Sequence, residues 1–592
     1  VEILIVAVLG LLGIAAASAV GPRLRVAAPL LLVLVGIAVS FLPFVPDFVV
    51  DPEWILAGIL PPLLYAASVA MPSMEFRREF SAIGGLSVLL VVLTSVALGV
   101  LFSLLIPGLG LAAGIALGAI VSPTDAVATS IVKRIGVTPR VVTVLEGESL
   151  LNDATALVLL RSAIAATAAS VTFWDVAGDF LFAVAVAVVI GFVVGRLNLW
   201  VRARVTDATV NTVISFTVPF LASVPAEALG ASGLVAAVVA GLVTGRGAIR
   251  VLSPQHRMSD ANSWRAIEFV LEGAVFLVMG LEMNKIVADL AEGELRAEHG
   301  LGIAVLALVV VLLVRAVYVF PTLALIGRRT RRAEELRPRL DAANRRLDER
   351  EVALATEAVD EEHAERAVRE GGRERWLRRA TNPEFIQRIR SRLRRRAADL
   401  DYFRAVPLGP REGAVIVWAG MRGAVTLAAA QTLPHETPSR SFLVFVAFCV
   451  AGVSLLLQGG TLPWLVRVVK PAGVDRQAQA AERQQILALL RDVTEKVVRA
   501  RLAEPGRLEL DGSDADPALD PDVPSDDGAA ESSDALRDRH RRQRLELIAA
   551  QRDALLDARD DGIFSSAMLG WALETLDAEQ ISIELRAAAD DD

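Results

Sequence analysis

Apolar residues gather in this chain into blocks of about 20, separated by short polar stretches, instead of alternating at the spacing of a half-buried helix or strand. A helix needs about 20 apolar residues to cross a bilayer core, so each block predicts a membrane span. The blocks lie at roughly 2–20, 26–46, 54–72, 80–106, 110–133, 140–169, 175–201, 208–226, 230–250, 264–284, 300–326, 411–433 and 440–469, about thirteen in all. The one at 208–226 is the weakest, with Pro219 and Pro225 late in the run. The first block lacks a basic leader and a small-residue cleavage site, which reads as a retained span and not a signal peptide. The expected fold is an all-α integral membrane protein.

The connections alternate in charge. Arg23/Arg25, Arg77/Arg78, Lys133/Arg134/Arg140, Arg196/Arg202/Arg204 and Arg246/Arg250/Arg257/Arg265 fall in every second one. Between them stand Asp47/Asp51/Glu53, Pro107–Gly110, Asp175 and Glu227, with no Lys or Arg, and later only Lys285, Arg296 and Arg440. Lys and Arg stay cytoplasmic, so the N-terminus is expected outside and the C-terminal tail inside.

Composition separates membrane from soluble parts. Hydrophobic residues are 54% of the chain, and the net charge of -8 averages over unlike regions. The single Cys449 can form no intrachain disulfide, and five scattered histidines offer no zinc-type spacing. Four segments are expected: the first part of a transmembrane domain at 1–327, a charged cytoplasmic insertion at 328–404, two last spans in 405–470, and a tail at 471–592. In the insertion, Arg388, Arg390, Arg392, Arg394, Arg395 and Arg396 precede the next span, placed either for anionic headgroups or as a solvated topogenic loop. The tail predicts helices near 477–503, 534–559 and 564–587. The first has Ile486, Leu489, Leu490, Val493, Val497 and Val498 on one side, and a linker at 504–534 is too polar to bury a core. The tail reads either as a regulator or dimerisation aid or as a passive appendage.

The chemistry concentrates where polar residues interrupt apolar blocks. Gly147-Glu148-Ser149-Leu150-Leu151-Asn152-Asp153 lies inside the sixth block. A charge at membrane depth costs several kcal/mol and marks an ion or proton pathway unless it merely fixes helix packing. Ser149 and Asp153 are four apart, on one helix face, and offer the oxygen ligands a hard cation takes.

Ser122-Pro123-Thr124-Asp125-Ala126 breaks the fifth block, because proline removes a donor and clashes with the preceding turn. Free backbone at that depth is tolerated around a cavity or a packed site. A Thr124 carbonyl or hydroxyl could bind a cation, and Asp125 could offset the following helix N-terminus. A plain proline kink with an N-capping pair is the bland alternative. Gly420-Met421-Arg422-Gly423-Ala424-Val425-Thr426 interrupts the twelfth block in the corresponding place. Two breaks in matching positions point to an inverted repeat of spans 1–6 and 8–13 with crossed broken helices. Arg422 keeps its charge and needs an acid. Glu148 is the expected partner, which makes that pair structural and leaves Asp153 as the titratable carboxylate. Arg161, Glu268, Glu272, Glu282 and Arg315 also fall in blocks and carry no assigned role.

In these motifs the chain resembles the bacterial monovalent cation:proton antiporters, in the branch with sodium/proton exchangers and an Asn-Asp pair. Ser122–Ala126, Gly147–Asp153, Phe276-Leu-Val-Met-Gly-Leu281 and Gly420–Gly423 follow the family's order, and the resemblance covers about residues 1–470. It implies that Asp153 alternately carries cation and proton, assisted by Ser149 and Thr124. Asn152, first of the Asn-Asp pair, is counted with them among the cation/proton-binding residues and implies electroneutral exchange. It also implies a homodimer in the bacterial inner membrane, among lipids, with sodium and protons as cargo, no cofactor and no nucleic acid. The chain departs from some relatives at Ala66, which follows Pro61-Pro62-Leu63-Leu64-Tyr65 where they carry an acidic ligand.

The leading expectation is therefore a secondary antiporter, not an enzyme, exchanging sodium, or lithium, for protons. Without a G-x-x-x-x-G-K-[ST] phosphate loop, a proton gradient must drive it. Potassium/proton exchange is the nearest rival. A regulated channel would need a filter-like loop between spans, and a membrane sensor would need a signalling motif. Neither is present in the sequence.

Overall fold

The computed structural model describes residues 2–24, 26–43, 50–168, 173–291, 295–334, 342, 395–473, 475–502 and 527–590. Each of the thirteen apolar blocks carries a helix or a broken pair of helices. In chain order these are α1 Glu2–Leu24, α2 Ala28–Ser40, α3 Leu60–Ala70, α4 Ser73–Gly84, α5 Val91–Leu105, α6 Leu111–Val121 and α7 Val127–Ile135. There follow α8 Pro139–Ala168, α9 Phe173–Arg202, α10 Ala208–Ala228, α11 Gly233–Val251, α12 Pro254–Leu281, α13 Met283–Ala291 and α14 Ala297–Glu334. The last membrane elements are α15 Pro410–Trp418, α16 Ala424–Gln431 and α17 Arg440–Val469. Among the described residues, seven helices are individually long and apolar enough to cross a membrane. The broken blocks fall short because each half is at most 11 residues.

Several boundaries differ from those expected. A π-helical turn at Gly85–Leu90 joins α4 to α5, so Arg77 and Arg78 sit on a helix and not in a loop. The basic connection before the tenth block shrinks to Leu252–Ser253, because α12 begins at Pro254 with Ser253 as its N-cap. The weak eighth block is one helix despite Pro219 and Pro225, started by the Asp207 carboxylate accepting from Val210 N at 2.7 Å.

Two apolar clusters form the interior. One joins residues of α2, α5–α8 and α14–α17; the other gathers α3 and α9–α12 around Tyr65 and Trp264. α8 contributes to both, with Val141 and Leu145 in the first and Leu150 and Ala154 in the second. Close helix approach relies on small residues. A Cβ on Gly280 would lie 2.4 Å from Val33 O, and one on Gly36 2.6 Å from Leu277 O, so α2 and α12 pack backbone to backbone.

The chain divides into two compact units, Val1–Arg329 with Val406–Val474, and Thr330–Ala405 with Asp475–Asp592. In the second unit, α18 Arg476–Leu502, α19 Asp527–Asp561 and α20 Ser566–Asp590 bury Ile486, Ile548, Leu555, Leu569 and Leu573. α19 starts at Asp527, so 527–534, expected as linker, belong to a helix. The remaining linker at 504–526 lies outside the described residues, as do Arg388, Arg390, Arg392 and Arg394 of the insertion. Arg395 and Arg396 lie in helix, which covers the described residues 395–405.

Candidate functional site

The two broken helices meet at their breaks. Asp125 N donates to Met421 O at 2.8 Å, tying the extended segment between α6 and α7 to that between α15 and α16. Gly423 is required there, since a Cβ would fall 1.3 Å from an Asp125 carboxylate oxygen. Neighbours take up the backbone groups that the breaks leave free. Ser454 of α17 accepts from Arg422 N at 2.9 Å, and Gln458 donates to Trp418 O at 2.9 Å. Ser122 donates to Val91 O of α5 at 3.2 Å.

Opposite charges sit at opposite ends of the four half-helices. The Arg422 guanidinium donates to Val121 O at 2.9 Å, to Ser122 O at 3.3 Å and to Gly420 O, the carbonyl ends that follow α6 and α15. Asp125 accepts from Val127 N at 2.9 Å and lies against Gly423, at the amide ends of α7 and α16. Each charge thus faces two helix ends of complementary dipole.

The expected Glu148–Arg422 pair is not the one formed. Glu148 is held by both terminal nitrogens of Arg315 from α14, one at 2.7 Å, and both side chains are 2% exposed. Arg422 meets its need for negative charge through carbonyls, which the bare sequence could not assign. Arg315 also donates from Nε to Ile416 O at 3.0 Å, so it braces α15 as well as α8.

α8 turns different residues to its two sides. Asp153, Ser149 and Glu146 line a cavity of about 630 Å³, together with Thr124 and Asp125 of the first break and Glu268 and Glu272 of α12. Asp153 is 7% exposed, and no hydrogen bond or salt bridge reaches it among the described residues. Asn152, expected among the ligands, does not line this cavity. Its Nδ2 donates to Thr124 Oγ1 at 2.7 Å and Thr124 O at 3.2 Å, and its Oδ1 is buried without a partner. The Thr124 hydroxyl in turn donates to Glu148 at 3.2 Å, so Thr124 is fixed from behind while facing the cavity. Glu148, Asn152, Arg315 and Arg422 surround a separate gap of about 10 Å³, barely room for one water.

The cavity reaches Met71, Pro72, Lys133 and Glu146, where Lys133 is 55% exposed and pairs with Glu146. Ala66 does not line it; α3 contributes Leu60, Leu63, Leu64 and Ala67. At the far ends of α12 and α16, Glu282 accepts from Val50 N at 3.1 Å and from Gln431 Nε2 at 2.7 Å. Glu268 and Glu272 had no assigned role in the sequence; their spacing of four, which stacks them on one helix face, was the available signal.

Paired broken helices beside a buried acidic residue are the mark of a secondary transporter. Residues 5–336 and 398–468 match the family described as sodium/hydrogen exchanger, transmembrane, and the chain belongs to that family. It is a cation:proton antiporter by class, a transporter and not an enzyme, and the ions are cargo rather than cofactors. An uncharacterized Na(+)/H(+) exchanger of Mycobacterium tuberculosis, Rv2287, is 27% identical over 582 residues, 96% of this chain and 93% of that protein. An uncharacterized Na(+)/H(+) exchanger of Escherichia coli, YjcE, is 36% identical over 265 residues, and the match spans 43% of this chain and 48% of that protein. The sodium, potassium, lithium and rubidium/H(+) antiporter of Bacillus subtilis is 30% identical over 269 residues, 44% of this chain and 40% of its own. The sodium proton antiporter MjNhaP1 of Methanocaldococcus jannaschii shares the fold, with a TM-score of 0.53 at 15% identity over 79% of this chain and 99% of that one.

Proposed function

We propose that this protein exchanges cytoplasmic sodium, or lithium, for external protons, and that Asp153 holds either a proton or a cation but not both. The observation that carries the reading is the Asp153 carboxylate: buried, unpartnered and open to the cavity beside Ser149 and Thr124. A carboxylate so placed exchanges its one positive partner for another, which couples the two ions without a further energy source. Ser149 and Thr124 supply neutral oxygens, Asp125 and Arg422 compensate the broken helices, and Glu148 is structural. Asn152 acts by positioning Thr124.

By the positive-inside rule the cavity mouth, lined by Lys133 of a basic connection, is cytoplasmic, and the protein sits in the inner membrane with its N-terminus outside and its tail inside. The Glu282 contacts then close the outer side. A homodimer is the working assembly, with the membrane unit doing the chemistry.

Potassium/proton exchange is the second reading, favoured by the broad ion list in the name of the Bacillus relative. Purified protein in vesicles, with dequenching followed on addition of sodium, lithium or potassium, separates the two. A sodium response that is insensitive to an imposed membrane potential supports electroneutral sodium exchange. A potassium-only response transfers the reading to potassium, and a potential-dependent rate removes electroneutrality.

A further inference from the structure

Two carboxylates of the cavity stand apart from every structural acid in the protein. Among the described residues the fully buried glutamates all have partners: Glu79 pairs with Arg140 at 2.5 Å, Glu148 with Arg315, Glu282 with Val50 N and Gln431, Glu412 with Gly409 N and Ala472 N, and Glu75 is likewise engaged. Glu268 and Glu272 of α12 line the cavity, and no hydrogen bond or salt bridge reaches either among the described residues. Both are half-buried, and withdrawing an acid from water without a partner is unfavourable, so a stabilising role does not account for them.

Their order along the wall is defined. Glu268 feels the charges of Lys133 and Glu146 at the mouth, while Glu272 feels Asp125 at the crossing. Four residues of helix separate them, a rise of about 6 Å. Beyond Glu272 the same wall becomes apolar at Val275 and Phe276. Asp153, the unpartnered side chain that the path leads to, is itself 7% exposed. The one basic side chain on the cavity, Lys133, is already paired with Glu146.

We propose that Glu272, fed by Glu268, is a staging site that draws a monovalent cation from the mouth to the crossing and hands it to Asp153. This rests on the reading of Asp153 as carrier. Clefts lined by one sign of charge concentrate counter-ions by about 10–1000-fold, so Glu272 sets the apparent affinity for internal cation and not the turnover of the loaded carrier.

The test uses the full-length chain in everted vesicles, with sodium added to the exposed cytoplasmic face. Glu272→Gln should raise the apparent KM for sodium about tenfold and leave the maximal rate near wild type. Glu268→Gln should raise KM less, and Glu272→Asp should restore most of the loss. Because the effect is electrostatic, added choline chloride should raise the wild-type KM and shrink the gap to Glu272→Gln. An unchanged KM in Glu272→Gln, or a fall in maximal rate at constant KM, overturns the proposal. Should that variant not fold, a wild-type KM indifferent to choline overturns it equally. Wild-type vesicles without exchange, or Asp153→Asn vesicles with it, would instead defeat the carrier reading, so the two failures are distinguishable.

Discussion

The two sides of α8 carry the same kinds of residue and treat them in opposite ways. Glu148 and Asn152 form one stripe, Ser149 and Asp153 the next, each at a spacing of four. On the first, Glu148 is gripped by Arg315 and by the Thr124 hydroxyl, around a gap with scarcely room for a water. On the second, Asp153 has no internal partner and opens onto about 630 Å³. About 100° around the helix separates the stripe whose carboxylate holds helices together from the stripe whose carboxylate is free to take cargo. Burial alone does not tell them apart, since both are below 10% exposed; partnership does.

The largest expected effect breaks the second stripe. Asp153→Asn should abolish cation-driven proton movement in purified vesicles while the protein keeps its elution volume and thermal stability. Stability is retained because no internal contact is lost with the charge. Exchange near the wild-type rate in the mutant would remove Asp153 from the carrier role.

The first stripe should fail in the other manner. Neutralising Glu148 or Arg315 alone leaves its partner charged and buried, which usually costs about 3–5 kcal/mol. A double replacement by apolar residues of similar size should cost less than the sum of the singles. Thermal denaturation of the four proteins in detergent checks this, and simple additivity would dissolve the pair. Arg422 in place of Arg315 in the same cycle should show weaker coupling to Glu148, because its nitrogens are spent on carbonyls.

What the sequence revealed follows the range of each signal. Apolar blocks depend on local composition, so all thirteen were legible, as were both breaks, where Pro123 and Gly423 act on their own turns. Pairing depends on how helices are rotated and which become neighbours. Arg315 and Arg422 are both arginines inside apolar blocks, and only the packing of α14 beside α8 selects Arg315 for Glu148. Asn152 was grouped with the ligands as first of the Asn-Asp pair, yet successive helical residues point about 100° apart. The acids of α12 were visible as a spacing of four, but their cavity was not, because it forms between helices distant in sequence.

The smallest effect is expected from the soluble unit, where none of the candidate ion ligands lies. The sequence alone places a harmless cut at about residue 505, in the polar linker. The structure moves it, because α18 buries Ile486 in a bundle with α19 and α20 and would be left with an uncovered apolar face. Ending the chain after residue 474 removes the three helices together and keeps Gly473, which bridges to Val137 at the end of α7. That truncation should retain exchange with the wild-type apparent affinity for sodium, and at most a displaced pH profile. The cut at 505 should give the less stable and more aggregation-prone protein of the two, by light scattering and thermal denaturation. A chain ending at 474 that elutes as a single folded species yet exchanges nothing at any pH would make the tail part of the transport cycle, and the division between paired and unpaired acids in α8 would no longer suffice to explain transport.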